Sequence, residues 1–318
     1  MKKLLTTLTC LFALLVVFFN FNSITNFLID KINNSHKLII KDANSYEKDY
    51  AFNFVQESEN FIPYSKQDLL NIIYTTINKG WNEFTFYCPS EYKDCVKDIT
   101  SMSDDDILLA NLNSFVHPFN SFTNIKTTIS DSGEIILHIY YLYTEEQINK
   151  IEIKVKELIS TTIKNDDSDY DKIKKLHDKI INTTKYDVER NKNNDSKYLS
   201  YIAYGPLFDG YATCNGYTDL MAIILSELNF KNFKVTTSSK ALDDGQTGHI
   251  WNAVYINNKW LHLDLTWDDP VSKDGKDYLY HTYFLINTKD LNKADTGQVK
   301  LNDHNFDQAV YSELKNID

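Results

Sequence analysis

Glycine and proline are scarce, nine and five among 318 residues. That excludes collagen-like repeats and argues against a disordered or low-complexity chain. Positive charge is scarce as well. Lys and Arg total 33 against 44 Asp and Glu, which sets a formal net charge of -11 and a pI of about 5.2. No basic stripe offsets this locally. A surface of that sign repels phosphate backbones, so nucleic acid is not expected as a partner. There is no zinc-protease helix, no Cys/His metal cluster and no glycine-rich phosphate loop, so no cofactor and no metal are implied. The chain is 42% hydrophobic and carries 21 Tyr and 18 Phe, enough for ordinary cores. Its length suggests about two domains.

Lys2 and Lys3 precede an uncharged apolar run from Leu4 to Phe19. Residues 1–29 therefore read as an export signal, either an uncleaved signal anchor or a cleaved signal peptide. The anchor is favoured, because Asn20-Phe21-Asn22-Ser23 makes a poor cleavage site and Leu4 to Phe21 approaches the length of a bilayer-spanning helix. Either way the remainder is expected outside, at the extracellular face of the cell membrane or secreted, with the membrane as a partner through the N-terminal helix. Of four cysteines, Cys10 lies in the apolar run. Cys88 and Cys95 are near neighbours and, in an oxidising compartment, candidates for a disulfide. Cys214 stands alone.

Residues 30–49 form a polar linker. Residues 50–163 read as a small α+β accessory domain: a helix opened by Ser65 and ended by Gly80, strands at 81–87, 125–130 and 135–143, and a long helix with a Thr144/Gln147 capping box. The turn between the last two strands falls at Ser130-Asp131-Ser132-Gly133. Nothing in this domain carries an obvious reaction. A polar break at Lys164–Ser168 starts the second domain, residues 164–318. A helix over 170–184 places His177 beside its apolar face, where a lone His is normally structural. Asn191 to Lys197 reads as a polar loop.

The chemistry concentrates around Cys214. Gly205, Pro206, Gly210 and Gly216 crowd the chain near it, and a helical pattern runs on from Thr218 through Leu220, Ile223, Ile224 and Leu228. Cys214 thus sits at a helix N-terminus, where free N–H groups and the helix dipole favour a thiolate. Gly248–Ile256 and Lys259–Thr266 alternate like two strands around an Asn257-Asn258 turn. If Ile256 pairs with Lys259, then Trp251 faces Asp264, and His249 becomes a diagonal neighbour of Asp264 on one face, about 7–8 Å away at the backbone. Asp264 can then fix the imidazole tautomer and leave the other nitrogen for a nucleophile. A Cys at a helix start with a His and an Asp on adjacent strands is the arrangement of papain-like cysteine catalysis. His262 shares the Asp264 face and is a rival base. Tyr204, in the approach segment, is a candidate oxyanion donor beside the Cys214 N–H. Asp268 and Asp269 read as a solvated turn before Pro270.

Gly210-Tyr211-Ala212-Thr213-Cys214-Asn215-Gly216-Tyr217, then Gly248-His249-Ile250-Trp251-Asn252, then Trp260 to Pro270 resembles the bacterial transglutaminase-like superfamily, in order and in spacing. The resemblance covers about Asp169 to Ile286, including an entry helix around Leu176-His177-Asp178. One departure is Asn215, where many relatives carry Gln. The resemblance implies an α+β fold with a papain/transglutaminase-like core, the Cys-bearing helix packed on an antiparallel sheet. The small α+β domain and the N-terminal apolar helix would precede it. It also implies Cys214 as nucleophile, His249 as base and Asp264 as orienting acid. The expected function is a thiol enzyme acting on amide bonds through a thioester, a peptidase or amidase (a hydrolase) before a cross-linking acyl transferase. The partner would be a protein or peptide substrate, such as a cell-wall or surface protein. The alternative is a catalytically idle binding or structural module.

Overall fold

The computed structural model describes residues 38–130, 133–193, 195–243, 248–271, 278–296 and 303–315. The first helix, α1 (Lys66–Asn78), starts where the Ser65 hydroxyl accepts from the Asp68 N–H, and ends before Gly80 at φ 71°. Strand β1 (Glu83–Tyr87) follows. Two helices without a sequence-level expectation come next, α2 (Cys95–Ser103) and α3 (Asp106–Phe115). Strands β2 (Phe122–Ile129) and β3 (Glu134–Tyr141) complete an antiparallel sheet in the order β1-β3-β2. Asp131 and Ser132 of the expected turn lie outside the described residues. Helix α4 (Glu145–Thr162) opens with the reciprocal Thr144–Gln147 capping box.

Helix α5 (Asp169–Ile181) begins the second half. Strand β4 (Lys185–Tyr186) pairs in parallel with β5 (Tyr211–Ala212), and a short helix, α6 (Val188–Asn193), lies between them. Helix α6 takes up the start of the expected polar loop at 191–197. The cysteine-bearing helix α7 (Cys214–Glu227) leads into β6 (Asn232–Thr236), helix α8 (Ser239–Asp243), β7 (Ile250–Ile256) and β8 (Lys259–Leu263). These three strands form an antiparallel sheet in the order β6-β7-β8, and α7 packs on β6 and β7. Asn257 and Asn258 both take positive φ, which makes the tight turn that pairs Ile256 with Lys259. A helical turn, α9 (Leu265–Asp268), and helix α10 (Thr288–Thr296) follow.

The period-2 alternation of β7 decides where the core lies. Trp251 and Ala253 point into one apolar cluster, together with Phe52, Phe115 and Phe233. Val254 and Ile256 point into a second cluster with Leu220, Met221 and Ile224 of α7. The sheet is therefore covered on both faces, by α7 on one side and by residues before 140 on the other. Cys88 and Cys95 are joined by a disulfide at the start of α2, with a Cα–Cα distance of 5.8 Å.

The expected N-terminal apolar helix, with the linker up to residue 37, lies outside the described residues. Among those that are described, no helix is long and apolar enough to cross a membrane. The longest, α4, has 18 residues and a polar, charged outer face, short of the roughly 20 apolar residues a span needs. The expectations of a membrane anchor, of the membrane as a partner and of a location at the extracellular membrane face are corrected on this finding and carried no further.

Candidate functional site

Thr213 turns the chain so that Cys214 is the first residue of α7. The Thr213 N–H donates to the Ser200 carbonyl at 2.8 Å. Gly216 lies so close to the same carbonyl that a Cβ would run into it. The helix start is bound to the sheet as well: Thr218 Oγ1 donates to Ile250 O at 3.0 Å, and Asn252 Nδ2 donates to Thr218 O at 3.0 Å. Cys214 is a free, half-buried cysteine. It faces an open cavity of about 520 Å³ shared with His249, Asn215 and Tyr201, whose far wall comes from Ile107 and Ala110 of α3.

His249 stands just before β7, its backbone tied to Thr237 in both directions. Its Nε2 lies 2.5 Å from Asp264 Oδ2, which leaves Nδ1 on the other side of the ring; Cys214 lines the same cavity, and its Sγ donates to Asn215 Oδ1 at 3.8 Å. Burial pushes the His249 imidazolium down, but the Asp264 carboxylate, with a smaller contribution from Cys214, outweighs it and raises the pKa to about 10. Trp251 stacks on this ring at 5.7 Å.

Asp264 is not a strand residue. β8 stops at Leu263, and Asp264 caps α9: its Oδ1 accepts from Thr266 N at 2.8 Å and Trp267 N at 3.2 Å. The expected strand through Thr266 ends early because this cap satisfies the first N–H groups of a helical turn. The other oxygen, Oδ2, meets two imidazoles, His249 and His304, the latter at 2.8 Å. All four acceptor positions of the carboxylate are filled. Burial would raise Asp264, but the two histidines hold it well below the usual carboxylate range.

His304 had no signal in the sequence, lying 40 residues after Asp264 with no periodic pattern to place it. The structure brings it in with its Nδ1 2.8 Å from Asp295 and its ring stacked on Tyr283 at 4.8 Å. The rival base, His262, has another occupation. Its Nδ1 accepts from Trp251 Nε1 and its Nε2 donates to Thr288 Oγ1, both at 3.0 Å. Burial, then the neighbouring His304, lowers its pKa to about 3. Tyr204 does not line the cavity; its ring lies 4.4 Å from Phe208.

Asp268 and Asp269 differ from the expected solvated turn, since both are buried. Asp268 meets His177 Nε2 at 3.2 Å and accepts from the Tyr283 N–H at 3.0 Å. Asp269 accepts from the Tyr217 hydroxyl. Tertiary packing, invisible in the local pattern, supplies these partners.

Residues 156–265 match the model of the transglutaminase-like superfamily, a stretch that includes Cys214, His249 and Asp264. The fold of that stretch is α+β, with α7 packed on the antiparallel β6-β7-β8 sheet. The chain is similar to the kyphoscoliosis peptidase of Mus musculus, 25% identical over 147 residues, covering 42% of this chain and 21% of that protein. It thus spans about a fifth of the length of that curated relative. A solved TGase structure is similar over 49% of this chain and 47% of its own, at 18% identity and a TM-score of 0.35.

Proposed function

We propose that this chain is a transglutaminase-like thiol enzyme that acts on amide bonds, with Cys214 as nucleophile, His249 as base and Asp264 as the group that orients the base. In this reading residues 164–318 carry the chemistry, and residues 50–163 supply the far wall of the cavity. The supporting observation is the imidazole of His249, one nitrogen held by Asp264 at 2.5 Å and the ring lining the same cavity as Cys214.

His249 takes the Cys214 thiol proton, the sulfur attacks the amide carbon, and the carbonyl π pair moves to oxygen. As the tetrahedral species collapses, a C–S thioester forms and the C–N bond breaks. The His249 imidazolium gives its proton to the leaving amine. Water, deprotonated by His249, then attacks the thioester and releases the acid and the thiol. An amine in place of water makes the same site a cross-linking acyl transferase. Hydrolysis takes precedence, because none of the described residues lining the cavity marks an amine-binding position. The Cys214 N–H at the helix start is the first oxyanion donor. Tyr204, expected from the sequence as the second donor, lies outside the cavity lining and packs on Phe208, so Tyr204→Phe is expected to leave the rate unchanged.

A second reading is a catalytically idle module that binds a protein or peptide. The comparisons by themselves back it better, since they reach the fold and not the reaction. Alkylation of Cys214 separates the two. Iodoacetamide at neutral pH is expected to label the wild type at least about tenfold faster than His249→Ala. Equal, slow labelling in both would leave the binding module as the function.

A further inference from the structure

A second cluster of chemically capable side chains lies apart from Cys214, where α5 meets the segment after α9. His177 Nδ1 is 2.9 Å from Asp178 Oδ1. His281 Nε2 is 2.6 Å from the same oxygen. One ligand atom from each of His177, Asp178 and His281 lies within 4.8 Å of the others. His177 is fully buried, Asp178 is half-buried, and His281 is at the surface. Together they make a site closed on the protein side and open to solvent.

Two features of the hydrogen bonding set this cluster apart from an ordinary ion-pair group. The first is the back of His177. Its Nε2 faces Asp268 Oδ2, a completely buried carboxylate. A carboxylate behind one ring nitrogen, with the other nitrogen aimed at a shared point, is the support that metal-ligating histidines have. The second is frustration at His281. Its Nε2 lies 2.6 Å from Asp178 Oδ1 and 3.0 Å from the Lys174 ammonium. A ring nitrogen either carries a proton or offers a lone pair. With the proton it suits the carboxylate and opposes the ammonium; without it the reverse holds. Lys174 also donates to Asp178 Oδ2 at 2.7 Å. The ammonium thus stands where a cation is wanted and leaves one contact unsatisfied. A metal ion bound to both His281 and Asp178 satisfies them together and releases Lys174 to solvent.

We propose that His177 Nδ1, Asp178 Oδ1 and His281 Nε2 bind a divalent transition-metal ion, zinc by its ligand preference, with Asp268 as the group behind His177. Two imidazoles and one carboxylate are a borderline donor set that suits zinc and leaves a fourth position for water. Ligand atoms around a tetrahedral zinc sit roughly 3.3 Å apart, so the two contacts to Asp178 Oδ1, now 2.9 and 2.6 Å, open by about 0.4 and 0.7 Å to admit it. The ion would clamp the segment around His281 onto α5. Through Asp268, whose N–H donates to the Asp264 carbonyl at 3.3 Å, it would stiffen the turn that Asp264 caps. The proposal is independent of the chemistry assigned to Cys214.

The test is titration of Zn2+ into the chelator-stripped full chain, followed by calorimetry, and of Co2+, followed by its visible spectrum. One saturable site is expected. His281→Ala weakens it at least about tenfold, and Lys174→Ala tightens it by removing the competing ammonium. Cys214→Ala and His304→Ala leave both the stoichiometry and the Co2+ spectrum unchanged. Circular dichroism checks that each variant folds, and Asp178→Asn repeats the loss if His281→Ala does not. Absence of saturable binding overturns the proposal. So does binding that survives His281→Ala, or that disappears with Cys214→Ala or His304→Ala; the latter would place the ion at the Asp264 centre.

Discussion

His304 and His249 share a single oxygen of Asp264, at 2.8 and 2.5 Å. The carboxylate is thereby clamped between an imidazole that lines the Cys214 cavity and one that does not. Asp295 holds the far nitrogen of His304. Burial lowers His304, but its bonds to Asp264 and Asp295 prevail and raise it. The His304 imidazole therefore positions Asp264 and touches no reacting atom.

Replacing His304 tests that role. A lost charged hydrogen bond is worth about 1.5–3 kcal/mol, or roughly 10–100-fold in a rate that depends on it. His304→Gln is expected to slow iodoacetamide labelling of Cys214 toward the His249→Ala rate. Its pH profile should also shift, which a purely structural role would not produce. Labelling at the wild-type rate with an unshifted profile would assign His304 to packing alone.

The pH dependence of stability follows from the same cluster. His249 is raised to about 10 from 6.5, so its contribution is complete below about pH 6.5 and fades as pH rises through about 10. Asp264 is depressed from 3.8, so its contribution is present above about pH 3.8 and fades on acidification. The two describe one pair and are counted once. Asp303 and His304 face it from the C-terminal segment, and burial raises Asp303. The wild-type Tm should be highest between about pH 4 and 6.5. Asp264→Asn should flatten both flanks; an Asp264→Asn curve parallel to the wild type would contradict the coupling.

Lys234 and Asp219 form a buried ion pair in the cavity wall, 3.0 Å apart. Lys234 also donates to Ser121 Oγ at 2.9 Å, and the Tyr143 hydroxyl donates to Asp219 at 2.7 Å. The pair joins α7 and β6 to residues of the first half. Lys234→Met leaves Asp219 uncompensated and should cost roughly 3–5 kcal/mol in urea unfolding. A cost below about 1 kcal/mol would mean that Tyr143 alone keeps Asp219 satisfied.

Gly216 tests the packing behind Cys214. Its Cβ-free surface meets the Ser200 carbonyl, the group that also receives the Thr213 N–H. Gly216→Ala should lower stability by roughly 1–3 kcal/mol and slow Cys214 labelling by displacing the helix start. A variant as stable and as reactive as the wild type would show that this approach can relax freely.

Much of this was legible in the residue order, because the signals are local. Ser65 and Thr144 announce helix starts through side chains that reach only three residues. The alternation in 250–256 and the Asn257-Asn258 pair set a hairpin whose register follows from turn length. The helix start at Cys214 was marked by the glycines around it. Helices α2 and α3 were missed, since their short apolar patterns are weak and tertiary burial of Leu109, Leu112 and Phe115 supplies what local propensity does not.

The sequence by itself determined the α+β character, the cysteine at a helix start and the placing of a histidine and an aspartate near each other around one hairpin. Only the tertiary structure decided which groups complete them. His304 reaches Asp264 from 40 residues away, Asp268 turns inward to His177, and α3 closes the cavity from the far side. Each joins segments remote in sequence, and such contacts are selected by the burial of both sheet faces and by the need to pair every buried charge. No local pattern encodes either condition.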